Sequence, residues 1–422
     1  MKLAKMSMVA ALLLGANAYA IDNVKVNGDA KLYYSTDDSE KTVNGNTSGG
    51  LFEQDSSAAQ AALRLGVTAD LTEGVSAGVT MTALSTLGLE SNLVGNLWED
   101  QTATWKSDYW FSEAWLAGTA GKTTGKIGRQ TLDTPLLYTE TWSIAPNTFE
   151  SIVAINQDIP DTTLVAAYVG NHSSSNGALG SGSSSGFGGV VSSPDVAEGD
   201  SRFIQTAGVG NGAYAFGVVN NSFKPLTVQA WYYDVVSTAT AMWAQADLDM
   251  EGILVGAQYA TFEPAASGAQ DGDATAVMIG YAMKDVVTVK AAYSTTDSNV
   301  GAGQNVAGEQ SKLYTEMWWS RGQITQADTD TWKVSAEGTA AGLDLMAQFA
   351  SADHGTNAAT ANKTVDELAV SVSKSFGPLD ASLVYLMLDK DAGEGVISAY
   401  QGATPNTAAA ENMLQVYLTY NF

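Results

Sequence analysis

The sequence predicts an all-β protein, and specifically a transmembrane antiparallel β-barrel of about eighteen strands. Three observations lead to this fold class. Short segments alternate apolar and polar residues along most of the chain, long connections alternate with short ones, and the last segment ends on an aromatic residue. A soluble sandwich also alternates, but it has no reason to keep the asymmetry of its connections over many hairpins, so the barrel is favoured.

The N-terminus has the features of a secretory signal peptide. Lys2 and Lys5 precede an apolar run over residues 6–16, and small residues flank Tyr19. This pattern predicts cleavage after Ala20 and export of the mature chain. The apolar run is shorter than the roughly 20 residues that a membrane-spanning helix needs. We therefore expect residues 1–20 to be removed and residues 21–422 to form one barrel domain.

Composition narrows the function classes. The chain has 42 Gly, 8 Pro and no Cys, which suits many strands joined by glycine-bearing turns and held without disulfides. Its formal net charge of −25 argues against a nucleic-acid partner, because that binding relies on Lys and Arg neutralising phosphates. The acidic excess fits either solvated outer loops or a lumen that attracts cations.

Alternation locates the strands of the first half. In the segment 60–71, Leu63 and Leu65 would face outward while Arg64 faces inward. Comparable patterns predict strands at 24–34, 60–71, 75–84, 108–117, 125–131, 149–157 and 162–170. Turns between them are alternately tight, as at residues 72–74, and long, as at residues 35–57.

The second half continues in the same way after one ambiguous region. Between residues 202 and 220 one strand is needed, and the segments 202–206 and 213–219 both qualify, although the second alternates better. The remaining predicted strands are 226–236, 241–248, 253–261, 274–283, 286–295, 331–339, 343–351, 365–376, 379–388 and 413–422. Aromatic residues recur near strand ends, as interfacial girdles require: Tyr34, Tyr168, Tyr281, Tyr293, Phe376, Tyr417 and Tyr420.

The last strand, 413–422, should close the ring by pairing with the first. Tyr420 and Phe422 lie on its apolar face and are the predicted closure residues, with Gln415, Tyr417 and Thr419 facing the pore. An even number of strands places both termini on one side, and short connections are then periplasmic and long ones extracellular. Closure matters because an unpaired backbone group in hydrocarbon costs several kcal/mol.

The third long connection, residues 132–148, differs from the other outer segments in being apolar. It carries Leu136, Tyr138 and Trp142, which we predict to be its packing residues. Apolar side chains are unfavourable in water, and the nearest surface against which they can be buried is the inner wall. A barrel of this size encloses an aqueous channel, so the sequence predicts that this loop folds into the lumen and narrows it.

Charged residues of this loop are the candidate constriction residues. Asp133 and Glu140 would lie near the narrowest point, opposite whatever basic residues the wall offers. The chain has four Arg, of which Arg64 is inward by the pattern of its strand and Arg129 is ambiguous, because Ile127 shares its side. The alternative is that Asp133 caps a turn and Glu140 is merely solvated.

The chain also resembles a family, the Gram-negative outer-membrane porins of the Campylobacter-type major outer membrane protein and the related OprD-like eighteen-stranded channels. The resemblance rests on the signal peptide, on Gly128-Arg129-Gln130-Thr131-Leu132-Asp133-Thr134-Pro135-Leu136, and on the terminal Tyr420-Asn421-Phe422. It implies passive diffusion of small hydrophilic solutes, a constriction made by the third loop, and a homotrimer. The basic ladder of the carboxylate-selective OprD-like channels is not evident here, which favours a general or cation-preferring pore.

Catalytic chemistry is not expected. The chain has two histidines, His172 and His354, both placed in outer loops by the pattern, and no cysteine, so the usual nucleophile and metal constellations cannot be assembled. We predict no enzyme activity and no cofactor. Acidic clusters at residues 37–40 and 328–330 could hold Ca²⁺, but they lack the spaced ligand pattern of a calcium loop, so a solvated face is favoured.

The sequence therefore predicts an outer-membrane porin in contact with lipid, mildly cation-preferring, that passes ions and small hydrophilic solutes. Two other classes remain open at this point. One is a surface adhesin or structural barrel that acts through loops such as residues 171–200, and the other is a soluble secreted β-sandwich.

Overall fold

The computed structural model describes residues 21–38, 41–43, 46–48, 50–89, 93–94, 107–173, 203–205, 212–358, 362–390 and 412–422. The predicted signal peptide lies outside these residues. Within them, no helix is long and apolar enough to cross a bilayer.

Eighteen strands form the wall. The first nine are β1 (Asp22–Asp37), β2 (Ser57–Thr72), β3 (Val75–Ser85), β4 (Ser107–Ala120), β5 (Thr123–Gln130), β6 (Phe149–Asn156), β7 (Thr162–Ser173), β8 (Ala213–Asn220) and β9 (Leu226–Val235). The second nine are β10 (Ala239–Met250), β11 (Ile253–Pro264), β12 (Gly272–Met283), β13 (Val287–Thr296), β14 (Thr329–Ala340), β15 (Leu343–His354), β16 (Lys363–Phe376), β17 (Leu379–Lys390) and β18 (Asn412–Asn421). A small hairpin of Lys41–Val43 with Asn46–Ser48 lies outside the wall.

The sheet is antiparallel throughout and closes on itself. β1 pairs with β2 on one side and with β18 on the other. In the closing pair Ala30 lies opposite Tyr420, and the backbones of Gly28 and Phe422 exchange two hydrogen bonds of 2.9 and 3.0 Å. The predicted all-β barrel is therefore confirmed, and its closing strand is the one that the C-terminal alternation indicated.

The ambiguous region between residues 202 and 220 contains both candidate strands. Phe203–Gln205 and β8 pair end to end along the same neighbour, β7. The sheet counts nineteen strands because it includes this short segment, while β8 is the strand that completes the wall between β7 and β9. The better alternation of residues 213–219 indicated the wall strand correctly.

The long and short connections fall at opposite ends of the barrel, with one exception. Tight turns join β2 to β3, β4 to β5 and β14 to β15, and positive φ angles at Gly74, Gly121 and Gly342 show why glycine is found there. At the long-loop end, β9 and β10 are joined by residues 236–238, where Thr238 N donates to Val235 O. The expected alternation of long and short connections is thus interrupted once.

The two faces of the wall differ in chemistry. Large apolar side chains are exposed on the outer face, including Phe216, Tyr232, Ile279, Trp332, Val334, Leu383 and Tyr420. Of the predicted girdle residues, Tyr281, Tyr293, Phe376 and Tyr420 are on this exposed face, whereas Tyr417 faces inward with its ring centroid 4.9 Å from that of Tyr33. An apolar outer face and a largely polar or loop-covered inner face are typical of a membrane barrel.

The placement of the two histidines corrects the sequence prediction. Neither histidine lies in an outer loop. His172 is the second-last residue of strand β7, His354 is the last residue of β15, and each is 2% exposed. Their strands are longer at this end than the alternation of residues 162–170 and 343–351 indicated. The Nδ1 atom of His354 is 2.9 Å from the hydroxyl of Thr329, the first residue of β14.

Candidate functional site

The loop of residues 132–148, which we call inner loop A, lies inside the barrel. It turns back on itself, with Thr139 N donating to Leu132 O at 2.8 Å. The backbone N–H of Leu136 donates to the hydroxyl of Tyr233 on the inner face of β9, at 3.2 Å. Leu136 is fully buried, and Leu137 is 1% exposed. The apolar residues that made this loop unusual in the sequence are therefore the ones that pack against the wall.

A second loop also lies inside the barrel. Residues 302–325, which we call inner loop B, follow β13 and precede β14, and their apolar side chains are buried: Ala302, Val306, Ala307, Leu313, Met317, Trp319 and Ile324. It ends in a short 3₁₀ helix, Gln323–Thr325. This second inner loop was not predicted from the sequence.

Inner loop B follows the inner wall from β10 to β18. The hydroxyl of Tyr314 donates to Asp247 on β10 at 2.5 Å, and Thr315 lies 2.6 Å from Ser294 on β13, measured between hydroxyl oxygens. Further along, Trp318 Nε1 donates to Gln415 on β18 at 3.2 Å. The loop thus lines about half of the inner circumference.

A buried carboxylate fixes the far end of inner loop B. Glu367 on β16, 1% exposed, accepts hydrogen bonds from the consecutive backbone amides of Trp318, Trp319 and Ser320 at 2.5, 3.0 and 2.7 Å. Hydrogen bonds to an ionised carboxylate are roughly twice as strong as neutral ones. This contact satisfies the carboxylate and determines where the loop meets the wall.

A second buried carboxylate joins the two loops. Glu140 of inner loop A, 1% exposed, accepts from the side chain of Asn305 at 2.9 Å and from the backbone N–H of Gln310 at 2.7 Å, both in inner loop B. Its other oxygen accepts from Trp142 Nε1 at 2.7 Å. Glu140 is therefore neither solvated nor open to the lumen, and its charge is used to connect the loops.

Further hydrogen bonds, from both backbone and side chains, extend the junction between the two loops. Val306 N donates to Leu136 O at 2.8 Å, and Asn147 Nδ2 donates to Ala307 O at 3.2 Å. Asn305 bridges again, because its amide both accepts from Tyr138 N and donates to Tyr138 O. The two inner loops consequently form one interlocked unit.

Arg321 adds a stacked cation to the junction. Its guanidinium carbon lies 3.5 Å from the ring centroid of Trp142 in inner loop A and 4.9 Å from that of Trp319. Glu309 approaches its Nε at 3.5 Å. Arginine stacks on aromatic faces more readily than lysine does, which suits this buried position between the two loops.

Burial perturbs the pKa values of Glu316 and Tyr138, one in each loop. Burial raises the pKa of the Glu316 carboxyl well above its ordinary value, while the charge of Lys333 opposes the shift. Lys333 Nζ itself donates to the backbone carbonyl of Glu316 at 2.7 Å. Burial likewise raises the pKa of the Tyr138 hydroxyl, and the nearby Glu140 and Glu316 add to the effect.

Asp133, the first predicted constriction residue, has a very different environment. Its side chain is 89% exposed and forms an ion pair with Lys312 of inner loop B. Lys312 Nζ also lies 4.7 Å from the ring centroid of Tyr138. Asp133 and Glu140 therefore belong to the same loop but not to the same microenvironment, since one contacts water and the other is enclosed.

The two arginines proposed to face these acids do not contact them. Arg64 points into the lumen, where it forms an ion pair with Asp29 on the neighbouring β1. Arg129 lies on the outer face beside the exposed Ile127, with its Nε 2.7 Å from Glu150 and its Nη1 donating to Phe111 O. Arg129 shares the outward side of Ile127, two residues earlier on β5, as the alternation of that strand requires. In this structure Arg129 does not line the lumen.

The remaining predicted residues have the following positions. Leu136 and Tyr138 are buried in inner loop A, and Trp142 is half-buried beneath Arg321. Tyr420 and Phe422 lie in the closing strand pair, both exposed on the outer face.

The sequence prediction of the site did not include four residues that the structure places there: Lys312, Asn305, Arg321 and Glu367. The signal that could have found inner loop B is the one that found inner loop A, because Leu313, Met317, Trp318 and Trp319 are too apolar for a solvated loop.

Comparison with known proteins gives a clear result for structure only. No family model matches the sequence, and no curated protein does. Solved structures do match over nearly the whole length of both chains. OccK8 (OprE) of Pseudomonas aeruginosa has a TM-score of 0.67 at 13% identity, covering 96% of this chain and 99% of its own.

Two further structures match equally well. OpdK of Pseudomonas aeruginosa, solved with vanillate, has a TM-score of 0.69 at 15% identity and covers 95% of this chain and 99% of its own. A BenF-like porin from Pseudomonas fluorescens Pf-5 has a TM-score of 0.69 at 12% identity with the same coverage. At this identity the likeness establishes the fold, an eighteen-stranded OprD-like barrel. The predicted resemblance to these channels is thereby confirmed as a resemblance of architecture.

Proposed function

We propose that this chain is an outer-membrane porin that lets ions and small hydrophilic solutes diffuse passively through a lumen narrowed by inner loops A and B. The observation that carries the proposal is the contrast between the two faces of the wall. Charged pairs such as Lys290 and Glu337, whose side chains are 38% and 57% exposed, lie on the inner face, while large apolar side chains cover most of the outer face. A packed core would not leave such pairs hydrated.

Open space at the short-turn end supports the same proposal. A cavity of about 640 Å³ is lined there by Thr288, Glu337, Ser371 and Ser373, among others. Hydroxyls and a carboxylate suit water and polar solutes. The likeness to porin structures, one of them a BenF-like porin, agrees with a channel.

We further propose that the pore prefers cations mildly. The support is the sequence charge of −25 and the exposure of Asp133. Glu140 does not contribute, because its carboxylate is enclosed by hydrogen bonds.

Export by residues 1–20, residence in the outer membrane and assembly as a homotrimer belong to the same proposal. Their support is the N-terminal sequence pattern, the apolar outer face and the resemblance to porins. Chemical crosslinking of the purified protein in detergent tests the trimer.

Planar-bilayer recording tests the channel. The purified, refolded barrel is added to a lipid bilayer in KCl solution, and discrete current steps are the expected result. A correctly folded protein that inserts and produces no steps would remove the porin proposal. The reversal potential across a KCl gradient then tests the charge preference separately, since equal permeability to K⁺ and Cl⁻ removes only that part. The adhesin alternative concerns residues 171–200, most of which lie outside the described residues.

A further inference from the structure

We propose that Lys312 is a specificity-determining residue of the pore, because its ammonium group offsets the charge of Asp133 at the narrowed level of the lumen. The charge preference is then set by this pair and not by Asp133 alone. The proposal rests on the porin function proposed above and adds to it one residue that sequence reasoning did not find.

Lys312 is held at mid-height in the barrel. Its backbone carbonyl accepts from Gln258 Nε2 at 2.8 Å, and Gln258 Oε1 accepts from the backbone N–H of Tyr314 at 3.0 Å. Gln258 is the sixth of the twelve residues of β11. These two hydrogen bonds, one on either side of residue 313, fix the loop backbone beside the middle of β11.

The side chain of Lys312 reaches from inner loop B to inner loop A. It forms the ion pair with Asp133 and lies over the ring of Tyr138, so its position is set by two contacts from the opposite loop. Both charges remain in contact with water, since 33% of the Lys312 side chain and 89% of the Asp133 side chain are exposed. An ion that passes along the lumen beside the interlocked loops therefore meets this pair.

The other charged groups of the inner loops are better shielded. Glu140 is enclosed by hydrogen-bond donors, and the side chain of Arg321 is 2% exposed. Lys312 and Asp133 are thus the exposed opposite charges among those described on the two loops. A single unit charge at contact distance in water changes the energy of a passing ion enough to alter its permeability about two- to fivefold.

The test measures the K⁺/Cl⁻ permeability ratio from the reversal potential of single channels in a KCl gradient. Lys312→Gln leaves Asp133 uncompensated, so the ratio should rise about two- to fivefold. Asp133→Asn leaves Lys312 uncompensated, so the ratio should fall by a similar factor. The double variant should return close to the wild-type ratio, and Lys312→Arg should keep it.

The matched control is Lys374→Gln. Lys374 lies over the ring of the exposed Phe376 on the outer face, so this variant removes the same charge from the chain without touching the lumen. Its ratio should equal that of the wild type. Heat-modifiable migration on a gel identifies variants that have folded into barrels.

Opposite shifts for the two single variants support the proposal. It is overturned if Lys312→Gln leaves the ratio of a conducting channel unchanged, or if both variants shift it in the same direction. Noisier currents without any change in reversal potential would mean that the pair only links the loops, and that result also overturns the proposal. A folded wild-type protein that conducts no ions would instead defeat the porin function itself.

Discussion

Inner loops A and B enter the same lumen but are held there by different physical means. Loop A is held mainly by apolar burial, with Leu136 and Leu137 packed against the wall of β6 to β9. Loop B is also apolar, yet its far end is fixed by a wall carboxylate, Glu367, that accepts three backbone amides. The stabilisation from apolar burial is roughly proportional to the buried area and does not depend on the direction of the contact. A carboxylate that accepts hydrogen bonds from three amides, in contrast, requires one geometry.

The difference matters for the proposed channel. Loop A would keep its general place after many apolar substitutions, while the path of loop B depends on a few polar residues. Since Glu140 joins the loops, a disturbance of one should reach the other. Substitutions that remove either the apolar or the polar contacts can therefore separate the two kinds of attachment.

Glu367→Ala should have the largest effect. It leaves the amides of Trp318, Trp319 and Ser320 without their acceptor, and at about 1–3 kcal/mol for each buried unsatisfied group the docking of loop B should weaken by about 3–9 kcal/mol. The expected result is a larger and noisier single-channel current, together with new proteolytic cleavage within residues 302–325.

Glu337→Ala is the control for this variant, because Glu337 is an exposed lumen acid on β14 that contacts neither inner loop in the hydrogen bonds described. Its currents should stay quiet. If Glu367→Ala conducts like the wild type and resists protease, the carboxylate does not fix loop B.

Leu136→Ala should weaken loop A by a different route. Truncation of a fully buried leucine costs about 2–5 kcal/mol through lost burial and the cavity left behind. Because the loss is apolar, the variant should be destabilised in urea titration without a change in the K⁺/Cl⁻ permeability ratio. An altered ratio with unaltered stability would contradict the division of roles between the loops.

The smallest predicted effect is a pH dependence of loop B. Burial raises the pKa of Glu316, Glu140 adds to this, and Lys333 and Arg321 oppose it. With a raised pKa the docked loop binds the proton more tightly than the free loop does, so docking is strongest in acid. It weakens as pH rises from the ordinary carboxyl range, about 4.3, towards the raised value.

Hydrogen exchange of the amides of loop B, measured as a function of pH and corrected for the intrinsic rate, tests this dependence. Protection should fall with rising pH in the wild type and stay level in Glu316→Gln. A variant that keeps the full dependence would show that another group is responsible.

Much of the fold could be predicted because alternation is a local property. The last strand was predicted at 413–422 and is found at Asn412–Asn421, and the wall strand 213–219 was correctly preferred. Loop A could be predicted from its apolar residues alone. The same reasoning was available for loop B, whose Trp318 and Trp319 are plain in the sequence.

The contacts that define the site could not be read from local patterns. Glu140 meets Asn305 across 165 residues, and Lys312 meets Asp133 across 179, so neither pair leaves a trace in the periodicity of a strand. Arg129 was ambiguous because its charge suits the lumen while the alternation of its strand places it beside Ile127, and the structure follows the alternation. The sequence identified Asp133 and Glu140 as candidate constriction residues because they are the acids of loop A. Whether each carboxylate is buried or exposed depends on its contacts with loop B.

The location of inner loop B is the central claim, and a disulfide tests it most directly. The chain has no cysteine, and the hydroxyl oxygens of Ser294 on β13 and Thr315 on the loop are 2.6 Å apart, within reach of a disulfide after substitution. Ser294→Cys/Thr315→Cys should oxidise readily in the folded barrel and shift its mobility on a non-reducing gel. Ser294→Cys/Thr134→Cys, which places the second cysteine on loop A, should not. A folded Ser294→Cys/Thr315→Cys barrel that keeps both thiols reactive under oxidising conditions would contradict the account.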